Sequence, residues 1–146
     1  AAGSRLPALK APYMNEPYEL TPQQHDAVTA LDGPLRYQHF IVRSADTQVL
    51  FGLRTDEGWV SACGDDGAEG LPVWPHPAYA MECATGEWAG SAPVEIDVYD
   101  FANDWLPAMA TDAANVIVFP TGAMQGVLVD PSRLEADLKL ELARYD

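Results

Sequence analysis

The sequence predicts an α+β fold: a mainly antiparallel sheet of about six strands with helices packed over it. Three observations predict it. Six short apolar runs are bounded by turn residues, as at Val49–Leu53 (VLFGL) and Val116–Phe119 (VIVF). Other segments repeat apolar residues at helical spacing. Several of these open on a capping residue followed by proline, as at Thr21-Pro22 and Asp130-Pro131.

Ala1–Glu19 carries Pro7, Pro12 and Pro17 and no periodic apolar face. It is therefore expected to be an extended arm ahead of a single domain spanning residues 20–146. Thr21 is a helix N-cap, with Pro22 at the first helical position and Gln24 placed to complete a capping box. That helix should reach about Leu31, where Asp32-Gly33-Pro34 stops it: glycine supplies the cap conformation and proline cannot continue a helix. A second helix should cover about Leu35–Ser44. Tyr37, Phe40, Ile41 and Ser44 share one of its faces, and Arg36, His39 and Arg43 share another. Val49–Leu53 and Trp59–Cys63 form a hairpin turned by Thr55-Asp56-Glu57-Gly58. Gly64–Gly70 leads to a strand at Leu71–Trp74, where Pro72 favours a sheet edge because it cannot donate to a ladder.

His76 and Pro77 launch a helix to about Ala84, closed by Gly86. A strand at Val94–Ile96 follows. Asp97 caps a helix on which Phe101 and Trp105 pair at i, i+4, and Pro107 should limit it. Val116–Phe119 is continuously apolar and is expected to be an interior strand, buried on both faces. Pro120–Gln125 turns the chain and Gly126–Val129 returns it. Asp130 and Pro131 start a terminal helix that places Leu134, Leu138, Glu141/Leu142 and Tyr145 on one stripe.

A chain of 146 residues fits one domain and can bury roughly 70% of its unfolded surface, so the fold needs no metal or disulfide. Eight Lys and Arg against 22 Asp and Glu leave a net charge of −14. Nucleic acids are dense polyanions that require a basic footprint, so direct nucleic-acid binding is not expected. The acidity serves solubility, or it attracts a basic partner protein. No apolar run approaches the ~18 residues of a membrane span. No apolar core follows Arg5 and Lys10 as it would in a signal peptide, so a cytoplasmic location is expected by default. Cys63 and Cys83 form no CxxC pair and are expected to be reduced, small apolar side chains.

Five strings occur together: RYQHF (Arg36–Phe40), LPVWPHPAYA (Leu71–Ala80), GEWAG (Gly86–Gly90), FANDWLP (Phe101–Pro107) and VFPT (Val118–Thr121). By these strings the chain, from about Leu20 to Tyr145, resembles an uncharacterised family of small bacterial proteins. WPHPAYA and GEWAG are the most specific of them. The resemblance implies a small soluble bacterial domain with no assigned activity and supplies no catalytic residues.

Two constellations are candidate sites. Trp74-Pro75-His76-Pro77 with Trp88 could form an aromatic corner holding one imidazole, suited to a ligand pocket. The plainer alternative is that Trp74 is core and His76 only caps a helix. Arg36, His39 and Arg43 could grip a carboxylate, a phosphate or an acidic peptide. The plainer alternative is neutralisation by the protein's own acidic surface, including stacking of Arg36 on an aromatic ring. The acidic turn Asp65-Asp66-Gly67-Ala68-Glu69 lacks the alternating ligand order of a calcium loop and is expected to be a solvated tip. No metal site and no cofactor are expected.

No GxSxG, P-loop or GxGxxG pattern occurs, which points away from an enzyme. The expectation is a non-enzymatic protein-binding module, accessory or inhibitor- and immunity-like, that engages a basic protein. The alternative is a small-molecule-binding protein or enzyme using a His76–Trp88 pocket.

Overall fold

A computed structural model describes residues 17–63, 69–121 and 126–145 of the chain. The first helix, α1 (Pro22–Thr29), starts in a complete capping box: the Gln24 N–H donates to Thr21 Oγ1 and the Thr21 N–H to Gln24 Oε1, each at 3.1 Å. The second, α2 (Gly33–Thr47), is longer than expected at both ends. Asp32-Gly33-Pro34 does not merely stop α1; it starts α2. The Asp32 carboxylate accepts from the Leu35 N–H, while Gly33 and Pro34 fill the first helical positions. Proline fits there because a first-turn N–H has no helical partner to lose. The left-handed cap belongs to Gln48, at φ 68°, where α2 ends.

Seven short strands follow among the described residues: β1 (Val49–Thr55), β2 (Gly58–Trp59), β3 (Ala62–Cys63), β4 (Glu69–Val73), β5 (Ala92–Asp97), β6 (Asn115–Val118) and β7 (Val127–Val129). They form two sheets, ordered β2-β1-β5 and β3-β4-β6-β7. Only the β4–β6 pairing is parallel. Phe51 and Trp74 exchange both backbone hydrogen bonds at 2.8 Å and so join the two sheets. The architecture is α+β, a mostly antiparallel sheet with helices packed against it. The expected run Trp59–Cys63 is split. Val60 N–H still donates to Leu53 on β1, but the Ser61 carbonyl turns to Trp88, and the chain then pairs with β4 instead.

Pro72 does not mark an edge: β4 lies inside its sheet, between β3 and β6. The alternation of the strand explains why. Val73 presents its carbonyl to Phe119 beside β6, so Pro72 and Trp74 face the other way. On that side β3 pairs only as far as Gly70, and no ladder bond is lost at Pro72. β6 is the interior strand expected, with Val116, Ile117 and Val118 all buried.

The remaining helices are α3 (Pro77–Glu82), α4 (Val98–Asp100), α5 (Leu106–Thr111) and α6 (Pro131–Leu142). α3 ends at Cys83; Gly86, at φ 58°, instead opens a 3₁₀ turn at Gly86–Trp88. Pro107 does not limit the helix capped by Asp97, which continues through Thr111. Phe101–Trp105 is a π turn in which the Leu106 N–H donates to Phe101, five residues back. That wider turn relieves the clash a proline ring makes with the carbonyl four residues earlier. α6 buries Leu134, Leu138 and Leu142 as expected, but Tyr145 is half exposed beyond its end. The core gathers Phe40, Leu50, Leu53, Trp74, Phe101 and Leu138 from helices and sheet alike.

Candidate functional site

The Arg36–His39–Arg43 face of α2 packs against the rest of the fold, with Arg36 buried and His39 and Arg43 partly buried. Arg36 is 7% exposed. Its Nε–H donates to the Phe119 carbonyl at 3.1 Å and its Nη1–H to the Leu31 carbonyl at 2.7 Å. Burial lowers its pKa from the ordinary guanidinium value, and the nearby Asp32 charge opposes that shift. Phe119 is itself unusual: fully buried, at φ 58°, in the left-handed region that a bulky residue enters only when its surroundings impose it. Val73 O, accepting the Phe119 N–H at 2.8 Å, is one such constraint. His39 tilts against Phe119, with ring centroids 6.2 Å apart, and Arg43 lies 4.1 Å over the ring of Tyr18.

The Trp74–His76–Trp88 corner is also buried. Trp74 Nε1–H donates to the Pro120 carbonyl at 2.7 Å and Trp88 Nε1–H to Ser61 at 3.3 Å, while the two indoles meet edge to face at 6.3 Å. His76 caps α3 as expected, its Nδ1 accepting the Ala78 N–H at 3.0 Å. An accepting Nδ1 carries no proton, so Nε2–H donates to the Tyr18 carbonyl, also at 3.0 Å. The ring is thus fixed in the neutral Nε2–H tautomer, with both nitrogens engaged on backbone.

Three residues that local patterns did not single out tie these constellations together. Tyr79 is 2% exposed and stands among all three histidines. His25 of α1 stacks on it at 5.6 Å, His76 meets it at 6.2 Å, and Phe119 connects it to His39, at 4.6 Å from Tyr79. Tyr18, placed by sequence in the extended arm, packs edge-on against His76 at 4.9 Å. His25 bridges Asp26 at 3.1 Å and Glu82 of α3 at 2.5 Å. Its pKa is raised, first by the Asp26 hydrogen bond, against some burial, and further by Glu82. Tyr79 belongs to the WPHPAYA string, but nothing local tells Tyr18 or His25 that they belong with it. Three polar atoms of the cluster are buried without a hydrogen-bond partner: Tyr18 Oη, Tyr79 Oη and His39 Nε2.

Residues 37–138 match the family model described as a protein of unknown function, DUF2750. The chain belongs to the DUF2750 family. The match takes in His39, Arg43, His76 and Tyr79, whereas Tyr18, His25 and Arg36 precede it. No curated protein and no solved structure matches the chain.

Elsewhere on this DUF2750 domain, Cys83 is free and buried, its S–H directed to the carbonyls of Pro120 and Thr121 at 3.5 and 3.3 Å. Burial pushes its pKa up to about 11, so it is no poised nucleophile. The Cys63 side chain and the acidic turn at residues 65–68 lie outside the described residues. Among those described, no group of three His, Cys, Asp or Glu is placed to hold a metal ion, and no helix is long and apolar enough to cross a membrane. The described ion pairs of Lys and Arg fall on α6 and its end: Arg133–Asp137, Lys139–Glu135 and Arg144–Glu141. Glu95, Asp97, Asp100 and Asp104, by contrast, are exposed within a few positions of a 37% exposed Tyr99, with no Lys or Arg paired to them among the described residues.

Proposed function

We infer that this domain is a non-enzymatic protein-binding module, an accessory or inhibitor-type protein that engages a basic partner through the face formed by β5 and α4. The observation that carries this is the exposed Tyr99 on a stretch with exposed Glu95 and Asp97 of β5, Asp100 of α4 and Asp104 of the following π turn. An aromatic anchor supplies apolar contact area, and carboxylates not already paired within the chain keep their field for a partner. The locked His76 and the high-pKa Cys83 thiol support the non-enzymatic side of the reading, since neither is poised for proton transfer or attack.

The test begins with affinity capture from the native host's lysate at low salt, followed by association kinetics with the purified partner. The Glu95→Gln, Asp100→Asn, Asp104→Asn variant leaves the Asp97 cap in place. It is expected to slow association several-fold at low salt and little at high salt, because screening acts on encounter. Tyr99→Ala is expected to speed dissociation. A partner whose kinetics ignore all four substitutions would overturn this assignment of the face.

A further inference from the structure

The ring cluster holds unpartnered polar atoms within the field of a cation, Arg43, that has no carboxylate partner among the described residues. Arg43 and His39 stand one turn apart on α2, so their side chains share a face. Arg43 lies over the Tyr18 ring, and among the described residues no Asp or Glu pairs with its guanidinium. This is notable in a chain with 22 acidic residues. Tyr18 Oη, Tyr79 Oη and His39 Nε2 are all buried atoms without a hydrogen-bond partner among the described residues. Their rings are held close together, with Phe119 between His39 and Tyr79 and His76 between Tyr18 and Tyr79. Buried polar groups are satisfied in nearly all proteins, so several orphans in one cluster with an unpaired cation are groups an oxyanion acceptor would satisfy.

We propose that Arg43, Tyr18, Tyr79 and His39 form a binding site for the carboxylate group of a small monoanionic ligand. Donor chemistry and charge select this class. Two phenol O–H groups and a guanidinium can all donate, as can His39 in its Nε2–H tautomer, so an oxyanion complements the set. The site contains one fixed positive charge. Burial and the Arg43 charge both lower the His39 pKa, so that ring is neutral. A carboxylate balances Arg43, whereas a phosphate dianion would leave excess negative charge buried in a molecule of net charge −14. The Arg43 field reaches Tyr18 and Tyr79 as well, opposing the rise that burial gives each phenol. This site is separate from the β5–α4 face, and neither proposal depends on the other.

The test is a thermal-shift and NMR titration of the full chain with acetate and benzoate. Their neutral amides, inorganic phosphate, and sodium chloride at matched ionic strength are the comparison arms. The carboxylates are expected to raise Tm with concentration by binding the native state alone. The amides should not do so, chloride should give only the smaller rise that screening of the acidic surface produces, and phosphate should act more weakly than the carboxylates. Tyr79→Phe and Tyr18→Phe delete only unpartnered hydroxyls and should stay folded, while weakening carboxylate binding about tenfold, or roughly 1.4 kcal/mol. Arg43→Gln should abolish it. Equal shifts in the wild type and all three variants would overturn the site, as would no carboxylate response beyond the chloride control, the result expected if ordered water alone fills the cluster. A phosphate response equal to or stronger than that of the carboxylates would overturn the ligand class.

Discussion

Arg36 illustrates how a residue chosen for its charge can be held by backbone carbonyls. Its guanidinium joins the end of α1, through Leu31, to the left-handed turn at Phe119. Hydrogen bonds from a charged donor contribute more than neutral ones, and deleting the donor leaves two carbonyls deprived of it. Arg36→Ala is expected to cost about 2–4 kcal/mol in urea denaturation. Arg36→Lys should recover only part of that, because a point charge cannot reproduce the planar fork. The histidines add a pH signature of mixed sign. The folded-state pKa of His25 is raised, so its contribution to stability is fully present below the ordinary value of about 6.5 and is lost as pH rises through the folded value. His25→Gln should therefore cost more stability at about pH 6 than at about pH 8. The folded-state pKa of His39 is depressed, so its contribution has the opposite sign: stability falls as acid protonates the unfolded chain first. Stability curves across pH for each single variant, with proton NMR titration of the imidazoles, check both signs.

At the scale of elements, short strands depend on side chains that cross them. Trp59 of β2 lies over Gly52 of β1 and meets Trp105 of the π turn edge to face at 5.2 Å. A Cβ at position 52 would stand 2.9 Å from Trp59 Cζ3, closer than packed atoms tolerate. Gly52→Ala should therefore displace the indole and cost about 1–3 kcal/mol. In a Trp59→Ala background the same substitution should cost much less, and a double-mutant cycle measures that coupling. α1 is the opposite kind of element. It has no buried residue, so its position rests on contacts such as the His25–Glu82 pair, the His25–Tyr79 stack and the Arg36 bond to Leu31.

For the molecule as a whole, charge is the dominant long-range term. Two of the eight Lys and Arg, Arg5 and Lys10, precede the described residues. The others engage α6 carboxylates, aromatic rings or buried carbonyls. The remaining excess of carboxylates repels itself across the surface, and a compact chain feels that more than an unfolded one. Tm measured in sodium chloride is expected to rise between low and physiological salt as the Debye length shortens to about 8 Å. A Tm that falls over that range would mean that attractive pairs outweigh the repulsion.

The sequence alone determined what depends on neighbours within a few residues or on composition. The caps at Thr21, His76, Asp97 and Asp130 are where spacing placed them, because capping is a contact over two or three residues. The apolar runs became strands, and the acid excess follows from counting. Tertiary structure decided the rest. Pro72 could sit inside a sheet only because β3 ends early, and Pro107 inside a helix only because a π turn precedes it. The candidate cluster was legible in part. Arg36, His39, Arg43 and His76 stood out by residue type, and Tyr79 lay in the WPHPAYA string, yet Arg36 proved to be buried, and Tyr18 and His25 gave no local sign of membership. Arg36 meets Phe119 across 83 positions and His76 meets Tyr18 across 58. Periodicity reports which face of an element is apolar, but not which distant turn that face will meet, because such pairings are settled only when all the elements pack into one core.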